Sequence, residues 1–249
     1  MDRKSSSNVE RAAEILLAIG DFGPHGCTLS DLSSRLDDTK SAVHRALSGL
    51  AKFGFVEQSS RRGRYRLGPA IYALSNSSFS ITDTVNMVRP AMVEISAATR
   101  MSAYLMARSG LDCVCLDFQE GIYPIRALLN GVGGRIPLGV SVAGVCILST
   151  LDMATRRTIL EQNREHLDKW QLDIEAVLAE TEAAARDGYA VRPGSEDGDL
   201  LSLAVVVPQD KIHASAAIAI IPPWPTAPSE KIDKIVAAVR AAIDRVRRS

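Results

Sequence analysis

The segment from Thr28 to Gly68 constrains the fold more than any other part of the chain. It opens with a short helical pattern, "TLSDLSSRL", passes through the turn "DDTK", and continues in a second helical pattern that ends at Gly54. Two strand-like runs follow, "FVEQ" and "RYRLG", and the basic turn "SSRRG" joins them. An amphipathic helix is also predicted within "NVERAAEILLAIG", ahead of this segment. Three helices followed by a hairpin predict a winged helix-turn-helix.

Caps and faces can be assigned to these predicted helices. Thr28 and Asp31 have the spacing of a reciprocal N-terminal cap, and Asp38 is the expected N-cap of the third helix. At about 100° per residue, the third helix has an apolar face and a roughly opposite polar, basic face. The apolar face contains Val43, Leu47 and Leu50, and the polar face contains Lys40, Ser41, His44 and Arg45.

Positive charge is concentrated in the same segment. The whole chain of 249 residues has 29 basic and 29 acidic residues, yet Lys40 to Arg66 holds seven Lys or Arg and one acid, Glu57. We expect the polar face of the third helix to enter the major groove of DNA, and Arg61, Arg62 and Arg64 of the hairpin to reach phosphate or the minor groove. Binding of this kind weakens steeply with salt, because it releases counterions from the phosphates.

The pattern changes beyond residue 80. Runs such as "SAYLMAR", "DCVCLDF", "YPIRALL", "LSLAVVV" and "SAAIAII" read as strands, and helical patterns lie between and after them at 141–151, 154–165, 173–187 and from 229. Grouped strands and helices predict an α+β domain with an antiparallel sheet. We therefore divide the chain into a winged helix-turn-helix at 1–68, a linker helix at 69–80 and a second domain at 81–249. A helix is expected on each side of residue 80, and Pro90 should kink or restart the second one.

Composition limits the classes of function. The four cysteines do not have the spacing of a disulfide framework or a zinc site, so we expect buried thiols in a reducing compartment. Glu14 interrupts the first apolar stretch, which argues against a signal peptide, and no run is long enough for a membrane span. A cytoplasmic protein without a metal or cofactor is expected.

Taken together, the motifs resemble the IclR family of bacterial transcription regulators over nearly the whole length. The resemblance rests on the order and spacing of "NVERAAEILLAIG", "TKSAVHRALSGLAKFGFVE", "GRYRLG", "VRPAMVEISAAT", "GVGGRIPL" with "SVAGV", and "ARDGYAV". It implies a winged helix-turn-helix joined by a linker helix to a GAF- or profilin-like effector domain with an antiparallel sheet. It also implies operator DNA and a small organic acid as partners, in a homodimer or homotetramer, and it is compatible with a repressor or an activator.

The same resemblance implies where an effector binds. In the family, the pocket is lined by a Gly-Gly loop, the start of the following helix and two later strands. Carried onto this sequence, the effector-binding positions are Ile125, Gly133, Gly134, Val142, Ala143, Arg192, Leu200, Ser202, Ala219 and Ile221. Ser141 is the expected N-cap of that helix, and free amide groups at a helix start suit a carboxylate.

Departures from the family pattern suggest the chemistry of the effector. Gly144, Val145 and Cys146 stand where Gly-Lys-Ala is usual, and Ala219 and Ile221 stand where hydroxyl residues are often found. We therefore expect an aromatic or branched carboxylic acid instead of a very small acid such as glyoxylate. Arg192 is a candidate counter-charge; the alternative is that Arg192 is solvated and Ala219 belongs to the core.

Two other functions are considered. "GVSVA" nearly matches the nucleophile elbow of a serine hydrolase with Ser141 as nucleophile, although its fifth position is Ala and the preceding run is a poor parallel strand. His166 and His213 have no evident acid partner, and His166 is a weak candidate metal ligand. The other alternative is an architectural DNA-binding protein without an effector, against which the large second domain argues.

Overall fold

A computed structural model describes residues 8–59, 63–76, 79–122, 131–193, 200–209, 212, 214–224 and 226–248. Tertiary contacts divide the chain into two compact units, Met1–Phe79 and Ser80–Ser249. The α+β class with an N-terminal helix-turn-helix and a C-terminal antiparallel sheet is confirmed.

Three helices form the core of the N-terminal unit: α1 (Asn8–Asp21), α2 (Leu29–Leu36) and α3 (Lys40–Lys52). The predicted capping box of α2 is present, because the Thr28 hydroxyl accepts from the Asp31 amide and the Asp31 carboxylate accepts from the Thr28 amide. The prediction of Asp38 as N-cap of α3 is wrong. Thr39 has the extended backbone of a cap and its hydroxyl accepts from the Ala42 amide, whereas Asp38 accepts from the amide of Thr39.

A small hairpin follows α3. Gly54, with φ of 73°, occupies the left-handed position after the helix, as expected. Strands β1 (Val56–Gln58) and β2 (Tyr65–Leu67) then pair antiparallel. The predicted wing is therefore confirmed in its strands, while its tip, Ser60 to Arg62, lies outside the described residues.

Two helices follow the wing: α4 (Pro69–Asn76) and α5 (Phe79–Thr99). The alternative that Pro90 restarts the helix is wrong, because Pro90 lies inside the single helix α5, and a kink at Pro90 stays a prediction. Proline removes one backbone hydrogen bond from a helix. Burial compensates for this loss, since Val88, Ala91, Met92 and Ile95 pack into an apolar cluster with the sheet.

The C-terminal unit is built on six antiparallel strands in the order β5-β4-β3-β8-β7-β6. The predicted strands β3 (Ala103–Ser109), β4 (Asp112–Gln119), β7 (Ser202–Val207) and β8 (Ala216–Ile220) are confirmed. Sequence patterns did not predict β5 (Arg135–Pro137) and β6 (Tyr189–Arg192), which are short, half-buried edge strands. The predicted strand "YPIRALL" lies outside the described residues.

Helices cover both faces of this sheet. On one face, α5 and α10 (Ser229–Arg248) share an apolar cluster with the sheet. On the other lie α6 (Val142–Ser149), α7 (Met153–Gln162), α8 (Arg164–Lys169) and α9 (Ile174–Asp187). The single helix predicted at 154–165 is two helices that meet at Asn163, whose side-chain amide donates to the carbonyls of Leu111 and Leu138.

Candidate functional site

The exposed face of α3 brings together the side chains predicted to read DNA. Lys40, Ser41, His44 and Arg45 are all exposed, whereas Val43 and Leu47 are buried. Within the described residues, no salt bridge engages Lys40 or Arg45. Two cationic side chains and two hydrogen-bonding ones therefore lie on one solvent-facing surface, which is the chemistry that base edges and phosphates require.

Arg64 at the base of the wing is hydrogen-bonded within the N-terminal unit, and its predicted contact with DNA stays a prediction. Its Nε donates to the carbonyl of His25 at 3.0 Å and its Nη2 donates to that of Gly26 at 2.8 Å. These bonds tie the hairpin to the segment between α1 and α2, so Arg64 supports the wing. Arg61 and Arg62, the two arginines predicted at the tip, lie outside the described residues.

The α6 face of the sheet carries a row of side chains across five strands. Strand register places Ala190 opposite Ala204, Ala204 opposite Ala219, Ala219 opposite Tyr104, and Tyr104 opposite Phe118. Three alanines allow α6 to approach the sheet closely, and the row ends in an aromatic pair whose ring centroids are 4.8 Å apart. Tyr104 and Ala204 belong to the apolar cluster that also contains Val142 and Ala143 of α6, and the other three pack against it.

A β-bulge determines on which face of the sheet the last side chains of β4 lie. Met106 pairs with Cys115 but Leu105 pairs with Asp117, so Leu116 is an extra residue in β4. Phe118 consequently joins Cys113 and Cys115 in the cluster with α6. Asp117 lies on the other face, where its carboxylate accepts from Nε of Arg89 in α5 at 3.0 Å.

The start of α6 is an ordered, capped helix end. The hydroxyl of Ser141 accepts from the Gly144 amide at 3.1 Å and lies 3.5 Å from Sγ of Cys113. All eight residues of α6 are buried. The first amide groups of any helix lack an intrahelical acceptor, so those of Val142 and Ala143 are suited to an anion.

Arg192 lies near this helix end, and its charge is already balanced. Its guanidinium donates to the carboxylate of Glu180, with Nη2 to Oε2 at 2.7 Å, and to the carbonyls of Gly139 and Val140. The guanidinium therefore joins β6, α9 and the loop ahead of α6. An anion that approached Arg192 would compete with Glu180.

The other predicted effector positions mostly lie on the same side of the sheet. Ser202 pairs with Arg192 across β6 and β7, and Ala219 and the half-buried Ile221 pack against the α6 cluster. Gly133 donates its amide to the Cys115 carbonyl and the Gly134 carbonyl accepts from the Cys115 amide, so the glycine pair extends the edge of β4. Leu200 is half-buried just before β7, and Ile125 lies outside the described residues.

Family profiles match both halves of this arrangement. The profile described as the IclR helix-turn-helix domain matches residues 8–60, and that of the bacterial transcriptional regulator IclR C-terminal domain matches residues 77–248. The chain belongs to the IclR family. It is a transcriptional regulator with a DNA-binding helix-turn-helix and an IclR C-terminal domain.

Individual IclR proteins and structures agree with this assignment. The transcriptional regulator KipR of Bacillus subtilis is 28% identical over 173 residues, which is 66% of each chain. An IclR-type regulator from a Silicibacter species has a TM-score of 0.76 at 22% identity and covers 96% of this chain and 94% of its own. An IclR homologue from Microbacterium hydrocarbonoxydans, in complex with 4-hydroxybenzoate, has a TM-score of 0.72 at 20% identity, over 98% of this chain and 100% of its own.

The surroundings of Ser141 and of the metal-ligating residue types bear on the other functions considered. Ser141 serves as the helix cap of α6, and its recorded partners in the described structure, Gly144 and Cys113, do not provide a general base. Among the described residues, His, Cys, Asp and Glu nowhere form a group of three suited to a metal ion. A search of the same residues finds no helix that could cross a membrane.

Sequence reasoning missed three residues of this site: Tyr104, Phe118 and Glu180. A uniform strand alternation in β4 would have put Phe118 on the α5 face, because only the bulge moves it to the α6 face. Glu180 resembles an ordinary solvated acid of an amphipathic helix until β6 brings Arg192 beside it. A signal for Tyr104 did exist, since it alternates with Met106 in a predicted strand.

Proposed function

We propose that this IclR regulator binds a roughly palindromic operator as a dimer and senses an aromatic or branched carboxylic acid in its C-terminal domain. Two copies of α3 would enter successive major grooves about 34 Å apart, with Lys40, Ser41, His44 and Arg45 toward the bases. Arg61 and Arg62 would hold phosphate. The exposure of this basic face of α3 supports the DNA-binding part of the proposal.

The observation that carries the effector class is the aromatic pair Tyr104–Phe118 on the α6 face of the sheet. Phe118, Ala219 and Ile221 are only half-buried, so this side of the cluster is not completely covered by protein. Apolar and aromatic walls favour a ligand with a ring or a branched chain. The first amides of α6 would donate hydrogen bonds to its carboxylate. The 4-hydroxybenzoate bound to the Microbacterium homologue is an acid of this class.

The bulge in β4 offers a route from the effector to α5. Phe118 faces the α6 cluster, and its neighbour Asp117 is buried and paired with Arg89 of α5. Arg89 directly precedes Pro90, where the hydrogen-bond ladder of a helix is interrupted. An effector that shifts Phe118 would act on α5 through this pair, and it would be allosteric to the extent that its affinity differs between two arrangements of α5.

Calorimetry with three acids tests the effector class. We expect 4-hydroxybenzoate or 3-methylbutanoate to bind more tightly than glyoxylate. Phe118→Leu should weaken binding of the aromatic acid by about 2- to 10-fold, the range for a lost aromatic contact. Phe53→Leu is the matched control, because Phe53 is exposed in the N-terminal unit. Tight binding of glyoxylate alone would contradict the proposal.

A further inference from the structure

Arg192 makes contacts that go beyond an ion pair. Its guanidinium donates to the carbonyls of Gly139 and Val140, which directly precede the cap residue Ser141, and Nε and Nη2 both donate to the carboxylate of Glu180. The Arg192 side chain is only 20% exposed. Five hydrogen bonds therefore connect one guanidinium to the loop before α6 and to one acid.

The loop ahead of α6 is held at successive residues. The carbonyl of Leu138 accepts from the side chain of Asn163 at 3.1 Å, so the carbonyls of three consecutive residues, 138 to 140, each have a side-chain donor. Gly139 has φ of +97°, a region that L-residues rarely adopt, and a Cβ there would lie 2.5 Å from Cδ2 of Leu160. The path of the backbone into α6 is therefore determined by side chains that are distant in sequence.

The pairing with Glu180 limits the ability of Arg192 to bind an anion. A guanidinium paired with a carboxylate through two nitrogens is a strong, directional contact, and partial burial shields it from solvent screening. An effector carboxylate would have to displace Glu180 and break the bonds to Gly139 and Val140. Either loss would disorder the loop that leads into α6.

We propose that Arg192 is a positioning residue, which Glu180 locks in place and which fixes the loop before α6 without contacting the effector as its counter-charge. The proposal deepens the proposed function, on which it rests for the place of the effector. The loop-holding part of it concerns the protein alone.

Hydrogen exchange on the full-length protein without ligand tests the holding role. We expect Arg192→Lys and Glu180→Gln each to raise the exchange rate of amides in peptides spanning 138–149 by about five-fold, the equivalent of one net hydrogen bond. Lysine keeps the charge but has a single nitrogen in place of the planar three-nitrogen fork with which Arg192 holds two carbonyls and an acid. Glu175→Gln is the matched control, because Glu175 lies on the same helix and forms an exposed pair with Arg157. Unchanged exchange in both variants would overturn the proposal.

A matched pair of ligands tests whether Arg192 is the counter-charge. Calorimetry would compare 4-hydroxybenzoate with its neutral analogue 4-hydroxybenzamide on the wild type and on Arg192→Gln. A positioning residue predicts that both ligands weaken together and that the ratio of their affinities stays within about two-fold. A counter-charge predicts that only the acid weakens, which would overturn the proposal. If the wild type binds neither ligand, the aromatic-acid class fails, while the exchange rates still decide the holding role.

Discussion

Helices α3 and α6 begin with the same kind of cap but lie in opposite environments. Each starts at a hydroxyl cap, Thr39 accepting from Ala42 and Ser141 accepting from Gly144. The α3 helix then presents one buried face and one exposed, basic face, whereas every residue of α6 is buried. Helix α3 therefore contributes a solvent-facing surface, and α6 is part of the core.

This difference explains why the sequence predicts the functional face of α3 better than it predicts the surroundings of α6. The chemistry of α3 lies on the helix itself, so its period of 3.6 residues separates core from surface. The cap and the loop before α6 are instead contacted by residues far away in sequence, namely Cys113, Asn163 and Arg192. Its own sequence has no polar face to read.

The largest difference in stability is expected between two glycine substitutions, one in the loop before α6 and one in α3. We expect Gly139→Ala to lower the free energy of unfolding by about 3 kcal/mol, since it combines a positive φ with overpacking against Leu160. Urea unfolding followed by tryptophan fluorescence measures this in the C-terminal unit, where both tryptophans, Trp170 and Trp224, lie.

The control for this substitution lies in α3. A Cβ at Gly49 would meet nothing within 4 Å, so Gly49→Ala should stabilise the helix by up to about 1 kcal/mol, as measured by circular dichroism. An unfolding free energy for Gly139→Ala equal to that of the wild type would show that the loop before α6 relaxes freely.

A smaller loss of folding stability is expected at alkaline pH, and it tests the burial of α6. Burial raises the pKa of the Cys146 thiol from 9.0 to about 12. Between these values the unfolded chain loses the proton and the native protein keeps it, so stability falls as pH rises above 9. The expected loss is about 1.4 kcal/mol per pH unit for each such thiol.

Urea titrations at pH 8, 9 and 10 measure this loss. The unfolding free energy of Cys146→Ala should fall less steeply with pH than that of the wild type, by the equivalent of about one bound proton. Identical slopes would mean that the Cys146 thiol ionises in the native state and that α6 is less enclosed than the structure shows.

Local patterns account for the parts of the fold that were predicted. The capping box at Thr28 and Asp31, the two faces of α3, and the four longer strands β3, β4, β7 and β8 all depend on residues that are close in sequence. The burial of all four cysteines was also predicted and is confirmed. In each case the chemistry of neighbouring residues is sufficient.

The rest depends on contacts that no local window contains. The edge strands β5 and β6 are three and four residues long and only half-buried, so they show no clear alternation. The helical pattern divides at Asn163, whose side-chain amide donates to the carbonyls of Leu111 and Leu138, both far away in sequence. The bulge at Leu116 reverses the facing of Phe118, and its cause lies in the pairing with β3.

One comparison of variants tests directly whether the exposed face of α3 carries DNA binding. Arg45→Ala should lower the affinity for a duplex selected by the wild-type protein by about 5- to 150-fold at fixed salt, the equivalent of 1–3 kcal/mol. Its urea unfolding should not change, since Arg45 is exposed. Arg157→Ala removes the same charge from an exposed pair in the C-terminal unit and should leave the affinity unchanged. Equal affinities for Arg45→Ala and the wild type in a mobility-shift titration would contradict the account.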